Sequence, residues 1–170
     1  MRALLFRIIY FFVFFGTSTI AGMLIPFLQY KGFDPIQTGS LISLFTLSGL
    51  VGLFSIGYFC DKLKTIKKVL FPSLIITTIT GAIAILFNKG IVFYIGFFLM
   101  GLFNSMLGPL CDSWIMESSN DIKSRFGQLR AFGSVGWAFG VLIVGFVISN
   151  LGYKYVTFIY VGSLLVGIFC

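Results

Sequence analysis

Two ionisable residues, Asp112 and Arg130, lie deep in long apolar stretches of this 170-residue sequence, and Trp137 follows the second of them. A charge placed inside a membrane helix costs about 2.5 to 3.5 kcal/mol on insertion scales, so it normally faces a partner or water. A carboxylate and a guanidinium can satisfy each other through a two-point fork of hydrogen bonds. They can equally bind the hydroxyls of a polar solute, and an indole beside them offers a flat face for a sugar ring or another flat ligand. The chain has no histidine, no GxSxG, no phosphate-binding glycine loop and no pair of intramembrane aspartates, so it is read as a non-enzyme with no cofactor and no metal site.

The elements that must position these residues follow from composition. The chain is 58% hydrophobic and 10% charged, with a mean hydropathy of +1.06, which excludes a water-soluble domain and points to an integral membrane protein. Six apolar runs approach the roughly 20 residues needed to cross a bilayer, at about residues 8–30, 36–60, 69–87, 91–116, 126–149 and 155–170. Their length and lack of alternation exclude a barrel. The expected fold is an all-α bundle of six transmembrane helices forming one domain over residues 1–170.

Basic residues set the expected orientation. Arg2, Arg7, Lys62, Lys64, Lys67, Lys68, Lys123 and Arg125 fall on one side, against Lys31, Lys89 and Lys154 on the other, which places both termini in the cytoplasm. The net charge of +7 then reads as a topology signal and a contact with anionic lipid, not as nucleic-acid binding. The expected location is the cell membrane. Cys60, Cys111 and Cys170 lie in or beside apolar runs without CxxC spacing and are read as packing residues.

Counting places the charges at matching depth. If helix four ends near Ser118 and helix five starts near Ser124, Asp112 and Arg130 each lie roughly 9 Å from the same edge, on consecutive antiparallel helices. Trp137 is on nearly the same face as Arg130 and about 10 Å deeper. Spacing alone leaves two readings level: one wall of a ligand cavity, or an ion pair pinning helix four to helix five with the tryptophan as packing. Gly133, Gly136 and Gly140 are expected to let helix five approach a neighbour closely. Gly108-Pro109 should kink or loosen helix four before Asp112; Pro26 lies within the first run and Pro35 in a loop. The segments 57–68 and 145–155 echo each other faintly, as two triplets of opposite topology would.

Two stretches carry a family resemblance. GYFCDKLKTIKK resembles the signature between helices two and three of the major facilitator superfamily, matching at Gly57, Asp61, Lys62, Lys67 and Lys68, with Lys64 where that signature has its second glycine. FGQLRAFGSVGWAFG is similar to the helix-five segment of the oligosaccharide/proton symporter branch, to which lactose permease belongs. In that branch the arginine pairs with a helix-four carboxylate and binds sugar hydroxyls, while the tryptophan stacks on the sugar ring. The resemblance implies that Asp112, Arg130 and Trp137 bind substrate, with Asp in place of the family's Glu, and that Asp61 and its lysines bias gating. It further implies the N-terminal half, a 3+3 inverted repeat, of a twelve-helix secondary transporter. The function expected is proton-coupled symport of a sugar or similar hydroxylated solute by alternating access, with the C-terminal half absent. The alternative is a truncated, non-transporting membrane protein, or a half-transporter that must pair with another bundle.

Overall fold

In hydrocarbon the backbone N–H and C=O groups have only one another as partners, so apolar runs of this length close their hydrogen bonds within helices. The computed structural model describes residues 2–87 and 90–169, without the side chain of Arg2. Lys89 and Cys170, which the sequence analysis assigned to the less basic edge and to packing, lie outside the described residues. The helices are α1 (Arg2–Ala21), α2 (Leu24–Tyr30), α3 (Pro35–Leu63), α4 (Lys67–Leu86), α5 (Ile91–Met116), α6 (Asn120–Ser124), α7 (Phe126–Leu151) and α8 (Val156–Phe169). Five of them, α1, α3, α4, α5 and α7, are long and apolar enough to cross a membrane, and α8 with the 3-10 turn before it is a shorter apolar segment. The chain is thus an all-α bundle.

Three local departures from the expected elements have physical causes. The first run, expected as one helix over residues 8–30, divides at Gly22 and Met23. Pro26 cannot donate to the carbonyl four residues earlier, that of Gly22, and its ring crowds that oxygen. Pro35, expected in a loop, is instead the first residue of α3. Its missing N–H is harmless there, and Asp34 caps the helix: its carboxylate accepts from Gln37 N–H at 2.7 Å while the Gln37 side chain accepts from Asp34 N–H. At the other end α3 runs to Leu63, so Asp61 and Lys62 belong to its last turn and not to a loop. By contrast α5 continues through Pro109 without interruption.

Packing reveals the internal repeat. α1 packs most extensively on α7 and α8, α5 packs on α3 and α4, and α4 meets α8. Exchanging the first three membrane segments for the last three converts one set of pairings into the other, which is the signature of a 3+3 repeat. Both large seams bring main chains together. A Cβ at Gly136 would fall on the carbonyl oxygen of Phe11, and one at Gly52 on that of Leu102. Away from the seams, Tyr160 of α8 donates to Thr77 O of α4 at 2.6 Å.

At the edge away from the lysine cluster, Lys31 donates to Ile85 O at 2.6 Å and Phe87 O at 2.9 Å, closing carbonyls that α4 leaves open at its C-terminus. Burial pushes the Lys31 ammonium below the ordinary lysine range. Tyr30 stacks on Tyr153 at 4.2 Å between ring centres, joining the end of α2 to the 3-10 turn before α8 at that edge.

Candidate functional site

The site is assembled by α1, α5 and α7. Because Gly133 and Gly136 allow α7 to lie against α1, with a Cβ at Gly133 meeting the rings of Phe14 and Tyr10 at 3.0 and 3.2 Å, the Tyr10 side chain is held facing α5. Its buried hydroxyl donates to Asp112 Oδ1 at 2.7 Å. Arg130 reaches the other carboxylate oxygen, Oδ2, at 3.4 Å. The structure therefore brings Asp112 and Arg130 together, although α5 touches both α7 and α1 only slightly; Tyr10 of α1 reaches across to the same carboxylate.

The two bonds differ in quality. The Tyr10 contact is short enough for a strong charge-assisted hydrogen bond, whereas the Arg130 contact exceeds the usual 2.7 to 2.9 Å for such a pair. The Asp112 side chain is 26% exposed and that of Arg130 is 61% exposed. One carboxylate oxygen is fixed by a neutral donor. Most of the guanidinium's five donors remain available to a ligand. The same guanidinium lies 5.9 Å from the centre of the Phe126 ring, one turn away.

Two spaces adjoin the pair and a third adjoins Trp137. Toward the lysine-rich edge, a cavity of about 710 Å³ is bounded by Asp112, Asp61, Gly57, Lys64, Glu117 and Phe126. A second, of about 280 Å³, is lined by Phe14, Arg130, Ser134 and Trp137. A third, of about 180 Å³, shares Phe14 and Trp137 and adds Thr17, Asn104, Ser105 and Gly108. Arg130 and Trp137 thus face one common space, with the indole partly exposed to it.

Asn104 and Ser134 line these spaces and Tyr10 lies buried behind Asp112, although none of the three stands among the candidates read from the sequence. All three are uncharged at neutral pH, and Tyr10 belongs to a helix far from Asp112 in sequence. Two signals were present: Tyr10 is the one polar side chain between Ile8 and Phe15, and Asn104, Gly108 and Asp112 recur every four residues along one face of α5.

The signature residues occupy the lysine-rich edge. Asp61 and Gly57 line the large cavity; Asp61 is exposed and forms no ion pair among the described residues. Lys62 lies 5.7 Å from the Tyr58 ring and Lys67 5.2 Å from the Trp114 ring, while Lys68 faces a different cleft between α3 and α4. Lys64 is the C-cap of α3 with φ 51° and ψ 25°, so the tight turn forms with a lysine in the left-handed region. A Cβ at Gly57 would meet nothing, whereas one at Gly140 would strike the Ser18 hydroxyl and Phe15 O. Cys60 and Cys111 are free thiols.

The sequence profile of the Major Facilitator Superfamily matches residues 7–170. The chain belongs to this superfamily. A maltose permease of Geobacillus stearothermophilus is 22% identical over 165 residues, covering 96% of this chain and 42% of the permease. An uncharacterized transporter, YwbF, of Bacillus subtilis (strain 168) is 28% identical over 155 residues, covering 89% of this chain and 38% of that protein. No solved structure matches. The superfamily member described here therefore spans about two fifths of the length of these curated relatives, and its repeat is that of half a transporter fold.

Proposed function

We propose that this superfamily member is the N-terminal half of a proton-coupled symporter for a sugar or similar hydroxylated solute, working by alternating access in the cell membrane with its lysine-rich edge in the cytoplasm. The observation that carries the reading is the division of labour around Asp112. Tyr10 holds one carboxylate oxygen, and Arg130, only loosely engaged by the other, shares a cavity with Trp137. A sugar between them would offer hydroxyls to the guanidinium and its apolar face to the indole. The maltose permease among the relatives supports a sugar over other solutes.

The wall is open on one side, with Arg130 and Trp137 both exposed on the same face of α7. A second six-helix bundle would close the cavity and supply the groups that move the coupled proton. Asp61, at the end of α3 with no ion-pair partner among the described residues, would form or break a contact with that bundle as the halves rock. A half that transports nothing until paired is compatible with the same wall.

A thermal-unfolding screen of the purified chain against monosaccharides, disaccharides and nucleosides tests the reading, since a ligand at 100 times its Kd stabilises the folded state by about 2.7 kcal/mol. A sugar should raise the unfolding temperature of the wild type and not of Arg130→Gln. Stabilisation by nucleosides alone, or by sugars equally in both proteins, would remove the sugar assignment.

A further inference from the structure

α3 and α4 are consecutive in sequence yet barely touch, because both lie against α5. The space left between them is a cleft of about 530 Å³ floored by α5. Its apolar lining includes Phe59 and Leu63 of α3, Pro72 of α4 and Leu102, Phe103 and Met106 of α5. Its two hydroxyls are already committed to their own helices, Ser55 Oγ donating to Val51 O and Ser73 Oγ to Val69 O, each at 2.8 Å. The body of any occupant must therefore be hydrocarbon.

The cleft has one charged lining residue, Lys68, in the first turn of α4. Lys68 is exposed and makes no ion pair with a described residue, while its neighbours Lys62 and Lys67 lie over aromatic rings. Ile66, at the N-cap of α4, provides no side-chain acceptor, so the positive end of that helix is also open to an anion. From this edge the cleft reaches Leu99, 17 residues before the end of α5. That is about 25 Å along the helix, past the midplane of a hydrocarbon core roughly 30 Å thick. The cleft also lies apart from the solute wall: residues 55, 59 and 63 of α3 line it, whereas 56, 57, 60 and 61 line the cavity at Asp112.

We propose that this cleft binds one anionic phospholipid from the leaflet at the lysine-rich edge, with an acyl chain between α3 and α4 and the phosphate at Lys68. The complementarity is specific in both parts. A free phosphate has nothing to place in the apolar cleft, and a zwitterionic lipid carries a compensating cation to the same lysine.

Native mass spectrometry of the purified chain, titrated in detergent with dioleoylphosphatidylglycerol or dioleoylphosphatidylcholine, tests this. One phosphatidylglycerol should be retained with at least about fivefold preference, the factor expected for one lysine at an anionic headgroup. Lys68→Gln should reduce that preference to unity. Ser55→Phe, which fills the cleft, should lower retention of both lipids, and Leu99→Trp serves the same purpose from α5 if the first variant does not fold. Lys123→Gln, at the same edge but off the cleft, should change nothing. Equal retention of the two lipids by the wild type overturns the proposal, as does full phosphatidylglycerol retention in the folded cleft-filled variant.

Discussion

The α1–α7 and α3–α5 seams are built alike and used differently. Each presses a glycine against a main-chain carbonyl, Gly136 on Phe11 and Gly52 on Leu102. Each also sets a glycine against a serine hydroxyl turned back onto its own helix, Gly140 against Ser18 and Gly49 against Ser105. The first seam carries Tyr10 to Asp112, which Arg130 of the same seam also reaches. The second ends at the lysine-rich turn and the apolar cleft. An inverted repeat can thus duplicate a close-packed scaffold without duplicating chemistry, because helix approach depends on small residues and function on a few polar substitutions along the exposed faces.

The largest effects should separate these roles. Asp112→Asn removes the charge that Tyr10 and Arg130 both address, and Arg130→Gln removes the exposed guanidinium that shares its space with Trp137. At 3.4 Å and with Arg130 61% exposed, the ion pair itself contributes only about 0 to 1 kcal/mol to stability. Sugar binding measured by titration calorimetry should fall below detection in both, while the α3–α5 seam keeps the bundle folded by circular dichroism. Retained affinity in either variant would reduce the pair to a structural tie. Tyr10→Phe keeps the ring that packs on Gly133 and deletes only the donor. Loss of a hydrogen bond to a charged group, about 1.5 to 3 kcal/mol, should lower the unfolding temperature and, because the freed carboxylate is no longer oriented, weaken binding tenfold or more. A lower unfolding temperature with unchanged affinity would place Tyr10 in the scaffold alone.

The contrast also explains what the sequence disclosed. Hydropathy determined the helical class, since no other structure satisfies the backbone across such runs. The depth of Asp112 and Arg130 was available by counting because both lie on long helices joined by a short connector. Tyr10 was not, because its partner is 102 residues away and the bond depends on how α1, packed on α7, is set against α5. The break at Gly22 was implicit in Pro26, yet a proline in a membrane helix can be accommodated by neighbours, so tertiary packing decides whether the helix bends or divides.

Glycine substitutions compare the seams directly. Gly136→Ala and Gly52→Ala each drive a methyl group into backbone and should destabilise by about 1 to 3 kcal/mol, read as a lower unfolding temperature in detergent. Gly57→Ala, with open space at its Cβ, should be neutral. A smaller loss at Gly136 than at Gly52 would mean that the site-bearing seam can yield and is the looser of the two. On the face that α7 turns toward the cavity, Trp137→Ala should weaken sugar affinity more than Trp137→Tyr, by about 0.5 to 1.5 kcal/mol if an aromatic face stacks on the ligand. Equal effects would assign the indole to packing.

The smallest effect concerns the turn that ends α3. Lys64 adopts φ 51°, where an L side chain brings Cβ close to the following carbonyl and glycine does not. Lys64→Gly should therefore stabilise the isolated bundle by about 1 kcal/mol, provided the lysine contributes nothing else. The charge lines the cavity that also holds Asp61, Glu117 and Asp112, so its removal should at the same time reduce the attraction of anions to that mouth. Measuring unfolding temperature at low and high salt separates the two contributions, because backbone strain is indifferent to screening and the field of a lysine is not. A stabilisation that persists at high salt identifies strain retained for the sake of the charge. Destabilisation at low salt that vanishes at high salt would show instead that Lys64 holds the carboxylate-lined mouth together, and that the scaffold-only seam has a polar function of its own.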